Sequence, residues 1–155
     1  MPIPLDDGDD IALAGDLVTQ AARLVRAMRR RHELPAAIRV LSVLDEQGPL
    51  SVTQLAAAYS CSQPTMTGLV NQLLQHGWAT KGPHPDDTRA TLVTPTPAGT
   101  AELARVRRLN GEAVAALVAR HPTLTAAELR TAVTVLRALL ADDTSTSTET
   151  GDRTS

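Results

Sequence analysis

Apolar side chains recur at helical spacing along most of the chain, and this period is interrupted only once. The first apolar stripe predicts an amphipathic helix over about residues 11–31, with arginines off the stripe. A second helix can begin at Pro35 and is stopped by Gly48 and the proline after it. The stripe of the first helix consists of Leu17, Val18, Ala21, Leu24, Val25 and Met28.

Two further helices follow in close succession. The stretch SVTQ, starting at Ser51, has the form of a capping box and predicts a short third helix. Ser62 can cap a fourth helix, whose first turn tolerates Pro64 and which Gly77 ends. The apolar face of the fourth helix consists of Met66, Leu69, Val70, Leu73 and Leu74.

The period then changes from helical to alternating. Residues 78–81 and 89–94 predict two short strands, joined by the Gly-, Pro- and Asp-rich turn 82–87. Helical spacing returns after Thr96, and a second capping box, TAAE from Thr125, begins the last helix.

This order of elements predicts a mainly α fold with a small β-hairpin wing. The hairpin and the helices before it form a winged helix-turn-helix over about residues 35–99, and further helices lie on both sides of it in the chain. A helix fits the DNA major groove, while a narrow hairpin tip can reach the adjacent minor groove. Arg89, just past the acidic tip of the hairpin, is a candidate for the minor-groove contact, because the narrow minor groove concentrates negative potential.

The charge distribution supports this class of partner. The chain of 155 residues has a net charge of −2. Its length is that of one domain, expected over residues 11–141, and because only 1% of its residues are aromatic, the core is expected to be aliphatic. Acidic residues are concentrated in 1–10 and 142–155, which leaves about +5 on residues 11–141. The acidic N-terminus is expected to be flexible, and the tail, which has no large apolar side chain, is expected to be disordered.

Several other classes of protein find no support. No apolar stretch approaches the roughly 20 residues of a membrane span, and MPIPLDDGDD lacks the pattern of a secretory signal, so a cytoplasmic protein without a membrane partner is expected. Cys61 is the single cysteine, and the histidines are scattered. Neither a metal site nor a cofactor is therefore expected, and the absence of a Gly-rich phosphate loop or nucleophile elbow argues against an enzyme.

The stretch GWATKGPHPDDTRATLVTPTPAG, residues 77–99, resembles the signature of the MarR family of bacterial winged helix-turn-helix regulators. The preceding MTGLVNQLLQHGW resembles the recognition helix of that family, and the helix order extends the resemblance over residues 11–141. The matching signature positions are Gly77, Lys81, Asp87, Arg89, Thr96 and Gly99.

The resemblance implies a homodimer, with dimerisation helices at about 11–31 and 97–141 and two winged domains on consecutive major grooves of a pseudo-palindrome. It implies that Arg89 enters the minor groove and that Asp87 pairs with Arg89, while Thr67 faces DNA. It also implies a transcriptional regulator, most often a repressor released by a small phenolic or anionic ligand. A redox role for Cys61 is not implied, because the cysteine of peroxide-sensing members lies near the N-terminus.

The chain departs from the family at Gly68, where an arginine is common. From Ser62 to Gln75 there is no Lys or Arg, so base contacts fall to uncharged side chains, of which Asn and Gln can bond adenine bidentately. Phosphate contacts then come from Lys81, from Arg39 or from arginines of the first helix. The candidate base-reading residues are Gln63, Thr65, Thr67 and Asn71, with Gln72 as a further candidate.

Two other hypotheses stay open at this point. The uncharged recognition helix is also compatible with a winged-helix dimer that has lost most of its DNA affinity and acts as a protein-interaction or small-molecule-binding module. In the plainer interpretation, Arg89 is a solvated hairpin arginine, and Gln63, Thr65 and Thr67 are ordinary exposed polar residues.

Overall fold

The computed structural model describes residues 8–87 and 89–149, with side chains as far as Ala141. It confirms the predicted mainly α fold with a two-stranded antiparallel hairpin. The elements are α1 (Asp9–Arg31), α2 (Ala37–Gln47), α3 (Val52–Ala58), α4 (Gln63–Gln75), β1 (Ala79–Pro83), β2 (Thr91–Pro95), α5 (Pro97–Arg120) and α6 (Ala126–Glu149). In the described part of the chain, no helix combines the length and apolar character that a membrane span needs.

Both ends of the helical region extend further than the sequence indicated. Helix α1 begins at Asp9 instead of about residue 11, and the acidic side chains of its first turn complement the helix dipole. Helix α6 continues to Glu149, past residue 142 where the predicted tail begins. The reason is that a nucleated helix gains one backbone hydrogen bond per added residue, and this segment contains no Pro or Gly to stop it. Residues 1–7 and 150–155 lie outside the described residues.

The hairpin is shifted along the chain relative to the prediction. Its strands pair Ala79 with Pro95 and Pro83 with Thr91, so β1 extends past Lys81 into the segment predicted as a turn. Pro83 is tolerated there because a two-stranded hairpin leaves each strand an outer edge that needs no amide donor.

The chain divides into two compact units, with the boundary between Asn110 and Gly111 inside α5. The sequence had indicated a single domain over residues 11–141. The first unit holds the core cluster, which reaches from Ala37 to Val106 and is aliphatic, as the shortage of aromatic residues predicts. Its most deeply buried large side chains are Leu41, Leu44, Leu55, Met66, Leu73, Val40, Val70 and Val93.

The predicted helix ends form by local hydrogen bonding. Ser51 and Gln54 make both bonds of the capping box at the start of α3. At the end of α4, Gly77 adopts a positive φ of 69°. The amide of Trp78 donates to the Leu73 carbonyl at 2.9 Å and the amide of Gly77 donates to that of Leu74 at 3.0 Å, which makes a Schellman motif. The glycine therefore both ends α4 and turns the chain into the hairpin.

The start of α5 is fixed against the end of α4 by Thr96. Its hydroxyl donates to the Gly77 carbonyl at 2.6 Å and accepts from the Gly99 amide at 3.1 Å, so one side chain caps α5 and holds the residue that ends α4. A Cβ at Gly99 would overlap the carbonyl group of Trp78. The Thr-x-x-Gly pattern of the sequence is therefore a packing requirement at the base of the hairpin.

We expect Gly99→Ala to lower the melting temperature by about 5 °C, because the added methyl group must displace the Trp78 backbone and overpacking costs about 1–3 kcal/mol. Thermal unfolding followed by circular dichroism measures this. Gly111→Ala is the matched control on the same helix, since a Cβ there meets no atom within 4 Å. Equal melting temperatures for the two variants would contradict the packing role of Gly99.

Candidate nucleic-acid interface

Helices α3 and α4 form a helix-turn-helix joined by residues 59–62. Ser60 in this turn has a positive φ of 53°, which reverses the chain direction without a glycine. The side-chain amide of Gln63 donates to the Thr53 hydroxyl at 3.0 Å and connects the first turn of α4 to α3. Ser62 caps α4 by accepting from the Thr65 amide.

Helix α4 has a buried face and an uncharged outward face. Met66 and Val70 are fully buried, and Gly68, two residues from each, lies about 200° away from both around the helix. Gly68 is therefore at the centre of the outward face. The other exposed residues of α4 are Gln63, Pro64, Thr65, Thr67, Asn71, Gln72 and Gln75.

The structure divides the candidate base-reading residues into two groups. Gln63 is bonded to Thr53, and the Thr65 hydroxyl lies 2.9 Å from that of Ser62, so both side chains stabilise the turn before α4. Thr67 and Asn71 are exposed beyond the first turn, with Gln72 beside them. The sequence could not distinguish the groups, because capping and base contact use the same residue types.

The wing consists of β1, β2 and the connection between them, of which the structure describes residues 84–87 and 89–90. The His84 amide donates to the Ala90 carbonyl at 2.9 Å, and the Ala90 amide donates to that of Asp87 at 3.0 Å. The carboxylate of Asp87 accepts from the backbone amide of Arg89 at 2.9 Å. Asp87 thus fixes the backbone at Arg89, and the pairing with Arg89 that the family resemblance implies stays a prediction. Arg89 and Lys81 are both exposed.

The exposed cations near these elements remain available for an anionic partner. Within residues 8–87 and 89–141, the ion pairs join Arg105 to Glu102 and Arg107 to Asp45, so Lys81 and Arg89 are in neither. The guanidinium carbon of Arg39 lies 4.3 Å from the ring centroid of Tyr59, which orients this cation at the turn before α4.

A ring stack lies at the end of α4, and an ion pair lies on α5. The rings of His76 and Trp78 stack with centroids 4.2 Å apart. Arg105 binds Glu102 through two hydrogen bonds of 2.8 and 2.6 Å, and this contact, with a smaller contribution from the charge of His76, lowers the pKa of Glu102. The carboxylate therefore remains charged at neutral pH, and its contribution to stability is lost only as the pH falls through this lowered pKa.

A small cavity lies between α1, α2 and α5 within the first unit. It has a volume of about 160 Å³, and its lining includes the polar residues Arg29, Arg39, Ser42, Arg107 and Asn110 among apolar side chains. The Asn110 Oδ1 is buried without a hydrogen-bond partner in the described residues. Sequence reasoning missed these residues because three helices distant in sequence contribute them. Within the described ranges, no group of three or more His, Cys, Asp and Glu side chains could hold a metal ion.

Comparisons with known proteins place this geometry in context. The profile of the MarR family matches residues 35–91. An HTH-type transcriptional regulator of Mycobacterium bovis is 31% identical over 138 residues, which cover 84% of this chain and 94% of the relative. A second HTH-type transcriptional regulator, from Mycobacterium leprae, is 33% identical over 103 residues, 64% of this chain and 71% of the relative.

Solved structures share the fold. A MarR family protein from Bacillus stearothermophilus has a TM-score of 0.68 at 19% identity, with 90% of this chain and 99% of that chain covered. A mutant MarR from E. coli complexed with operator DNA has a TM-score of 0.53 at 24% identity, covering 83% of this chain and 91% of that chain.

Proposed function

The chain belongs to the MarR family of transcriptional regulators, and we propose that it is a homodimeric repressor that binds a pseudo-palindromic DNA operator and releases it when a small ligand binds. A regulator of this family is not an enzyme, in agreement with the sequence. The observation that carries the DNA-binding proposal is the exposed polar face of α4 beside a wing that ends in Arg89.

In the proposed complex, α4 lies in the major groove. Asn71 and Gln72 carry amides that can bond the N6 and N7 atoms of adenine, and Thr67 flanks them. Arg89 enters the adjacent minor groove, on a backbone that Asp87 fixes. Lys81 and Arg39 contact phosphates, which position the protein without reading sequence. The DNA-bound relative from E. coli supports this arrangement by analogy of fold.

Exposed apolar side chains on helices support the homodimer. Leu129, Val133, Leu136 and Leu140 follow a spacing of three and four residues along α6, and each is at least 37% exposed in the single chain. Helix α1 likewise exposes Ile11, Leu13 and Val18. Contiguous exposed apolar surface of this kind is typical of a protein interface. A two-fold dimer would present two copies of α4 to a two-fold DNA site.

The cavity between α1, α2 and α5 supports a small aromatic acid as the ligand. A volume of about 160 Å³ is close to that of a cavity known to hold one benzene ring. Three arginines line the cavity. Arg107 is paired with Asp45 at 2.9 Å and Arg39 lies over the Tyr59 ring, whereas Arg29 makes neither contact, so we assign the carboxylate to Arg29. The unpartnered Asn110 Oδ1 can accept from a phenolic hydroxyl.

The DNA-binding proposal is tested by selecting bound duplexes from a randomised pool at low salt. We expect enrichment of a two-fold symmetric site with half-sites about one helical turn apart. Arg89→Ala should weaken binding to that site at least tenfold, because it removes the minor-groove cation. Arg130→Ala, an exposed arginine on α6, is the matched control and should bind like the parent chain. A folded dimer that enriches no site would contradict DNA binding.

The dimer is tested by Leu136→Asp, which places a charge on the apolar face of α6. We expect light scattering to show a mass of about twice 16.4 kDa for the parent chain and a shift toward the monomer for the variant. Thr134→Asp places the same charge about 200° around the helix and should leave the mass unchanged. Dissociation by both variants, or by neither, would assign the interface to other residues.

The ligand proposal is tested with 2-hydroxybenzoate as the probe. We expect it to raise the melting temperature of the parent chain and to release the selected DNA, whereas uncharged phenol should do neither at the same concentration. Arg29→Ala should abolish both effects. Arg31→Ala, which removes a cation from the same helix end but not from the cavity lining, should retain them. No response of the parent chain to 2-hydroxybenzoate would count against a phenolic acid.

A further inference from the structure

Gly68 is a glycine that the fold does not require. It lies in the interior of α4, where glycine destabilises a helix relative to alanine. A Cβ at this position meets no atom within 4 Å. Gly48 and Gly77, in contrast, need a positive φ, and Gly99 needs space against Trp78. Gly15 and Gly111 also lie inside helices with open space around a Cβ, and Gly68 differs from them in its place at the centre of the outward face of α4.

The position of Gly68 identifies what approaches it, provided that α4 binds DNA as proposed above. It lies opposite the buried Met66 and Val70, at the point of α4 that comes nearest to the floor of a groove. Asn71 and Gln72 lie one turn further on the same face and carry the amides that suit adenine. An arginine at this position could donate two hydrogen bonds to a guanine, and the glycine cannot make this contact.

The missing side chain leaves the α4 backbone uncovered between these amides and the first turn of the helix, with open space where a Cβ would lie. The group of an A·T base pair that projects into the major groove beside the adenine edge is the C5-methyl of thymine. We propose that Gly68 is a specificity-determining residue, and that a thymine methyl group packs against the α4 backbone that this glycine leaves uncovered. Any larger residue holds α4 away from the base edges that Asn71 and Gln72 read.

The test pairs a methyl group added to the protein with one removed from the DNA. In the duplex selected by the parent chain, each thymine of a half-site is replaced singly by deoxyuridine, which lacks only the methyl group. At one position we expect the parent chain to lose about fourfold in affinity, the effect of one buried methyl group. Gly68→Ala should bind the thymine duplex at least fourfold more weakly than the parent chain does. The Gly68→Ala variant should bind the duplex that carries deoxyuridine at that position at least as tightly as it binds the thymine duplex.

Gly111→Ala is the matched control, since it also adds a Cβ in open space on an exposed helix position. Both alanine variants should melt a few degrees higher than the parent chain, so a loss of affinity in Gly68→Ala alone is not a loss of folding. A parent chain that is indifferent to every deoxyuridine, or a Gly68→Ala variant with unchanged affinity, would overturn the role of Gly68. A parent chain that selects no duplex would instead overturn the proposed function, which keeps the two failures distinguishable.

Discussion

The geometry of the candidate interface depends on one junction, where the end of α4, the base of the wing and the start of α5 meet. The Thr96 hydroxyl bonds the Gly77 carbonyl and the Gly99 amide, and the Gly99 backbone lies directly against Trp78. A major-groove helix and a minor-groove arginine can act together only if their separation is constant. This junction supplies that constancy, because it connects both elements through short backbone contacts.

The core reinforces the junction from the opposite side. Val93 of β2 is fully buried. Its amide donates to the carbonyl of Leu50, in the segment that joins α2 to α3, and its carbonyl accepts from the Leu50 amide. The wing is thereby attached to the helix-turn-helix by apolar packing and by a backbone bridge. Loss of packing at Val93 would therefore displace Arg89 relative to α4 without touching either. In the proposed DNA complex, the separation of the two binding elements would therefore depend on core residues such as Val93 as well as on the exposed side chains.

The sequence predicted those features that are encoded locally. The capping residues Ser51 and Ser62 and the helix-ending Gly77 act on backbone groups within a few residues, so the residue type alone was informative. Features that depend on residues distant in sequence were not predictable. The cavity beside Arg29, the clash that excludes a side chain at Gly99 and the exact strand pairing of the wing all require the assembled unit. Helix α6 continues into a segment without large apolar side chains, because helix propagation depends on backbone hydrogen bonds and not on apolar content.

The polar residues of α4 divide according to their distance from its N-terminus. In the first turn the backbone amides lack helical partners, and the Ser62 hydroxyl accepts from the Thr65 amide, while the Gln63 side chain bonds Thr53 of α3. From Thr67 onward the backbone is satisfied within the helix, so Thr67, Asn71 and Gln72 are free to contact a partner. Because these three carry no charge, they cannot compensate for poor geometry with long-range attraction. A helix that recognises bases through uncharged side chains must approach them closely. A glycine at the centre of the outward face permits this approach.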